Sequence, residues 1–208
     1  MNRTSKKILI FCIFWLFLGG KSSIFAAGTY PAALDQFKLM GAYLGQFNFP
    51  KQTQGYSLKN PYGGMFGVKS TSFFGIGVTH VLMDFQDKID SSLVLKNKIT
   101  TVDIFAFLPV PSFFEVVVGY GLGSSSLVCN SSQCQSVYGD DLSISHVGSN
   151  VSHIYAIFGV LVGKIYHLQV GGHNFNGGSF EVKHSSFSST RTVEQNFSAL
   201  SLGFSVAF

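Results

Sequence analysis

Charge is scarce in this chain. Asp, Glu, Lys and Arg make up 12% of its 208 residues, against about 25% in an average soluble domain. No basic patch interleaved with aromatics and no nucleic-acid motif is present, which removes nucleic acid as a partner. Long apolar runs are missing as well. The longest, Ile8–Leu18, has eleven residues, short of the ~18 a transmembrane helix requires. If the chain crosses a membrane it must do so as a closed barrel, because lipid cannot satisfy open sheet edges. The six His residues show no H-E-x-x-H pairing, and the glycines fall at alternating positions instead of forming a phosphate loop. No metal and no cofactor is therefore expected.

The first 26 residues read as a signal peptide. Arg3, Lys6 and Lys7 precede the apolar run, and Ile24-Phe25-Ala26 before Ala27 forms a cleavage site. Removing this segment takes four basic residues and no acid, leaving ten of each. The basic character of the whole chain thus says nothing about anionic partners. Residues 27–208 remain as one domain.

Glycine (23) and phenylalanine (22) are abundant, and they alternate. At the C-terminus Leu200, Leu202, Phe204, Val206 and Phe208 are apolar, while the residues between them are small or weakly polar. One greasy and one small strand face suits a barrel strand with lipid outside and a filled lumen inside. Its nine residues match the ~9–11 of a tilted membrane strand. Similar stretches lie at Leu39–Phe49, Tyr62–Lys69, Phe73–Asp84, Lys98–Leu108, Phe113–Gly123, Ser152–Gly163 and Ile165–Asn174. The links between them alternate short and long, the long ones being Pro50–Pro61, Phe85–Asn97, Ser124–Val151 and Phe175–Glu194. The fold class that follows is all-β: an eight-stranded antiparallel transmembrane barrel with short periplasmic turns and four long external loops. A lipocalin-like barrel or a sandwich is the soluble alternative, and it should carry more outward charge.

Within such a barrel Asp103 and Glu115 fall on inward faces, as an interior polar cluster, with Lys69 as a candidate counter-charge. Cys129 and Cys134, the two cysteines left after signal removal, are expected to form a disulfide in the longest loop.

The glycine-aromatic alternation resembles the small outer-membrane barrels of the OmpA and opacity-protein type. The terminal strand Leu200–Phe208, with its final aromatic, resembles the insertion signal read by the barrel assembly machinery. Both resemblances imply the outer membrane of a Gram-negative bacterium, with lipopolysaccharide among the contacts. Gly172-His173-Asn174-Phe175-Asn176-Gly177-Gly178 resembles the H-x-S-N-x-G segment of the lipid A 3-O-deacylase family. Phe113–Gly123 is similar to that family's P-x-x-E-x-G-x-G strand. The resemblance implies His173 as base and a downstream Glu, here Glu194, to orient it. The nucleophile position, however, holds Phe175, and strand alternation points His173 into the lumen. The expectation is a non-enzymatic barrel whose external loops serve recognition, adhesion or envelope integrity, for an unidentified ligand. A lipid A deacylase-like enzyme or inactive relative and a narrow channel are the alternatives.

Overall fold

A computed structural model describes residues 37–49, 55–70, 73–110, 113–130, 134–136, 147–162, 165–184 and 190–208. The expected signal segment and its expected cleavage site lie outside them. Among the described residues there are eleven strands: β1 Lys38–Asn48, β2 Tyr56–Lys69, β3 Phe74–Asp87, β4 Val94–Leu108, β5 Phe114–Cys129, β6 Cys134–Ser136, β7 Val147–Val162, β8 Tyr166–Asn176, β9 Ser179–His184, β10 Arg191–Glu194 and β11 Phe197–Ala207. Eight of them close into an antiparallel barrel in the order β1-β11-β8-β7-β5-β4-β3-β2. The other three form a small sheet, β10-β9-β6. Short turns join β2 to β3, β4 to β5 and β7 to β8 at one end; the longer links stand at the other.

Period-two alternation decides which side chain faces which way. On β3, Ile76 and Val78 are exposed while Gly75, Gly77 and Thr79 are buried. On β11, Leu200, Leu202 and Phe204 are exposed against buried Ala199, Ser201 and Ser205. Around the whole barrel the outward residues are Phe66, Val102, Ile104, Leu122, Ile154, Leu168 and their like. An apolar girdle of this extent is insoluble in water and matches a hydrocarbon surround. Aromatics edge it: Phe37, Phe73, Phe113 and Phe208 at the turn end and Tyr62 toward the other. The barrel is a membrane-spanning one.

The lumen is a packed core, as eight strands require. Inward glycines leave the space that its large side chains occupy. A Cβ at Gly75 would collide with the Phe105 ring, and one at Gly121 with the Asp103 carboxylate. Gly67, Gly75, Gly119 and Gly121 are thus sockets, receiving the side chains of Phe105, Tyr155 and Asp103.

The strands run further toward the long links than the apolar alternation predicts. β5 continues through Ser124-Ser125-Ser126 to Cys129, and β4 begins at Val94, four residues before Lys98. Outward positions there are Lys96, Lys98, Ser124 and Ser126, so the outer face turns polar while Leu95, Ile99 and Leu127 keep alternating inward. β2 likewise starts at Tyr56 and takes in Pro61. The pairing slips between Lys59 and Tyr62, with Asn60 at φ 44°, so the proline sits at a bulge where no ladder donor is needed. The long link expected at Phe175–Glu194 also contains β9 and β10.

Candidate functional site

The chemistry of the described residues gathers in the lumen, in layers. Nearest the turn end is Glu115. It accepts from Lys38 Nζ at 2.5 Å, Gln169 Nε2 at 2.5 Å and Ser205 Oγ at 2.8 Å, with His167 Nδ1 at 3.8 Å. Lys38 and Lys69 lie over the Phe107 ring at 5.0 and 5.7 Å. The cation at hydrogen-bond distance from Glu115 is Lys38, at the first position of β1, where Lys69 was the expected counter-charge. Lys69 Nζ donates to the carbonyl of Ser70 at 2.9 Å.

The middle layer centres on Asp103. Thr79 and Thr101 hydroxyls donate to its two oxygens at 2.5 and 2.8 Å, and His153 Nδ1 lies 3.3 Å away. Gly121 explains how residues from β4 and β7 meet across β5. It is the register partner of both Asp103 and His153, and it carries no side chain between them. From His153 the chain of contacts continues: Nε2 to His173 Nδ1 at 2.9 Å, then His173 Nε2 to Ser201 Oγ at 2.8 Å. A carboxylate only accepts, so with both rings neutral the donors run one way. Ser201 donates to His173, His173 to His153, and His153 to Asp103. Phe175 stacks on His153 at 4.1 Å and 5°, and on Phe197 at 4.6 Å and 15°.

A third layer closes the loop end. Gln195 accepts from Ser125 at 2.6 Å and donates to Asn97 at 3.0 Å. Above it Arg191 pairs with Asp87, whose other oxygen caps the turn through Ile89 N–H and Asp90 N–H at 2.7 and 2.8 Å. Arg191 also lies 5.7 Å from the Tyr56 ring.

Several expected residues fall where alternation placed them. Asp103, Glu115 and His173 are buried inward, and Phe175 is a lumen stacking plate. Glu194 is not brought to His173; it is half-buried at the end of β10 and accepts from Asn196 at 3.4 Å. Leu200, Leu202, Phe204 and Phe208 point outward. Cys129 is buried at the end of β5, whereas the side chain of Cys134 lies outside the described ones, so the expected disulfide stays an expectation. His173 finds its hydroxyl partner across the barrel wall and not along the chain, where Ser179 is the next one downstream. The hydroxyl at hydrogen-bond distance is Ser201, delivered by the β8–β11 register, in which Ala199 faces His173 and Ser201 faces Gly171.

No family model and no curated protein matches the sequence, which leaves the deacylase resemblance without further support. Solved structures do match. One is the outer membrane protein OprG of Pseudomonas aeruginosa, with a TM-score of 0.54 at 11% identity, covering 84% of this chain and 96% of that one. Another is outer membrane protein W of E. coli, with a TM-score of 0.52 at 13% identity, covering 84% and 98%. The fold is that of a small outer-membrane barrel. At such identities the likeness is one of architecture. Together with the apolar girdle it gives the chain the build of a multi-pass outer-membrane protein.

Proposed function

We propose that this chain is a non-enzymatic surface protein of a Gram-negative outer membrane, exported by residues 1–26 and acting through its loop end. The reading is carried by the lumen. Three layers of hydrogen-bonded and stacked side chains cross it, so the fold invests its interior in closure and not in a path for solute. The polar surface accumulates at the loop end instead, on Lys96, Lys98, Ser124, Ser126 and the β6–β9–β10 sheet. Recognition or adhesion is the use such a platform supports. The terminal strand suits delivery by the barrel assembly machinery, and the girdle suits contact with lipopolysaccharide. The test replaces residues 179–194 with a Gly-Ser linker in cells that otherwise express the intact chain. Membrane yield should hold while attachment to protein-coated surfaces falls. Unchanged attachment, or steady single-channel conductance of the intact protein in planar bilayers, would overturn the reading.

One observation favours a second reading. Ser201 and His173, backed by His153 and Asp103, have the connectivity of an activated hydroxyl. Purified protein incubated with lipid A, beside Ser201→Ala and His173→Ala, decides it. Acyl release by the wild type alone would make the chain an esterase of a new site design.

A further inference from the structure

The outer wall is not uniformly convex. A groove of about 630 Å³ runs over β11, β8 and β7, with Tyr43, Leu202, Val170 and Phe158 as its sides and Gly172 in its floor. A second, of about 760 Å³, continues it toward the loop end and shares Gln46, Ala156, Gly172 and Leu200. The volumes fall in the range of small-ligand sites. A Cβ placed on Gly172 would meet nothing within 4 Å, so the floor opens on free space.

The head of the groove is polar for a specific backbone reason. Along β1 the inward residues are Met40 and Leu44, and unbroken alternation would send residues 46 and 48 inward too. The pairing with β11 shifts between Gly45 and Asn48, and Gln46 takes a left-handed φ of 49°. After this bulge Phe47 and Phe49 turn inward onto Phe197, at 5.7 and 5.2 Å, and Gln46 and Asn48 turn out. Asn48 pairs with Ser198 on β11, which pairs with exposed Asn174 on β8. Three carboxamides thus crown an apolar groove on a wall where the neighbouring outward residues, Ile154 and Leu200, are hydrocarbon. Among the described residues no lysine, arginine or carboxylate lines either groove.

We propose that this groove binds one acyl chain of a membrane lipid, with Gln46, Asn48 and Asn174 hydrogen-bonding the ester or amide that joins the chain to its head. The occupant follows from the chemistry. The groove opens on the girdle, so its surroundings are lipid. Its walls suit a hydrocarbon chain. Its crown offers neutral amide donors and no cation, which suits a neutral carbonyl better than an anionic phosphate. The bulge that re-aims the amides has a left-handed non-glycine residue in it, a conformation retained where the surroundings over-determine it. The proposal rests on the membrane-spanning reading of the barrel and is independent of what the loop end recognises.

The experiment purifies the full chain from bilayers of ester-linked diacyl phosphatidylcholine and counts retained lipid by native mass spectrometry. The wild type should keep one lipid molecule through mild delipidation. Gly172→Leu, whose side chain enters the open floor, should keep none while retaining the heat-modifiable gel shift of a folded barrel. Ala156→Leu fills the same space from β7 and serves if Gly172→Leu does not fold. Gln46→Leu with Asn174→Leu should lower occupancy about five- to tenfold, the scale of one or two hydrogen bonds. An ether-linked phosphatidylcholine, which has no carbonyl, should bind the wild type as weakly as the ester lipid binds that double variant. Equal retention by wild type and both floor-filling variants would overturn the site. Equal retention of ether and ester lipids would overturn the role of the amides.

Discussion

The two faces of the same strands follow different rules. Outside, one chemistry is repeated: Ile76, Val102, Ile104, Leu168 and Leu202 each meet lipid, and none needs a particular neighbour. Inside, almost every residue depends on another. Glu115 depends on Lys38 from the far side of the chain, Asp103 on His153, and Phe105 on the glycines that leave it room. An outer residue can be exchanged for another of its class at little cost, whereas an inner one is tied to a partner. The contrast is sharpest for charge. The outer girdle excludes it, and the lumen holds it in hydrogen bonds, Glu115 with Lys38 and Asp103 with Thr79 and Thr101.

The largest effect expected comes from breaking the Lys38–Glu115 pair. Lys38→Met removes the ammonium 2.5 Å from the buried Glu115 carboxylate and leaves it the hydrogen bonds of Gln169 and Ser205, at a cost of about 3–5 kcal/mol. Urea unfolding of the refolded barrel measures it. On the outer face, Leu202→Arg puts one charge into the girdle and should cost about 2–4 kcal/mol if it sits near the midplane. If Leu202→Arg costs more than Lys38→Met, the inner face is the more tolerant one and the comparison is reversed. Next comes Gly121→Ala, whose Cβ would collide with the Asp103 carboxylate. Overpacking should cost about 1–3 kcal/mol. In an Asp103→Ala background the penalty should shrink, because the colliding group is gone. An undiminished penalty would mean that Gly121 serves the backbone and not the carboxylate.

The asymmetry between the faces also explains what could be read before the structure. Outer alternation is local, and it located all eight barrel strands from residues such as Phe74-Gly75-Ile76-Gly77-Val78. It failed beyond the girdle, where β4 and β5 carry Lys96, Lys98, Ser124 and Ser126 outward and only the inner half of the pattern continues. The same inner half was present at Phe180, Val182 and Val193, all buried, and was the available signal for β9 and β10. Inward placement of Asp103, Glu115 and His173 was legible because it too is a matter of parity. Their partners were not. Asp103 and His153 lie 50 residues apart, and their meeting depends on the register of β5 with both neighbours. Lys38 was missed because a lysine at the edge of an apolar stretch reads as the residue before the strand. Ser201 is not legible as the partner of His173, because β8 and β11 are adjacent only in the closed barrel.

A smaller effect is expected at the loop end. We expect Cys129 to be joined to Cys134, and replacing both by Ser should cost about 2 kcal/mol at most, since the closed loop is short. Thermal melting of the barrel should hardly move, while proteolysis of the 130–146 link should quicken. Two free thiols recovered by non-reducing peptide mapping from fresh membranes would remove the bond altogether.

The smallest thermodynamic effect should come from Phe208→Asp, and that is what makes it informative. Phe208 is exposed at the turn end, its ring centroid 6.2 Å from that of Phe37. Its N–H donates to the Phe37 carbonyl at 2.9 Å, a bond that any residue but proline can make. A charge at the girdle edge costs about 0–1 kcal/mol, and a carboxylate less than a cation. Refolded into liposomes, the variant should therefore unfold within about 1 kcal/mol of wild type. In cells the outcome should differ. The terminal aromatic, with Leu200, Leu202, Phe204 and Val206 on the same face, is the pattern we read as an insertion signal, so membrane yield should fall sharply. A stable barrel in vitro with poor yield in cells would separate a residue read during assembly from one that holds the wall together. Normal yield would show that the terminal phenylalanine is girdle like any other outward residue. Low yield together with loss of stability in liposomes would show instead that the β1–β11 closure depends on it, and the outer face would then contain at least one residue bound by the inner face's rule.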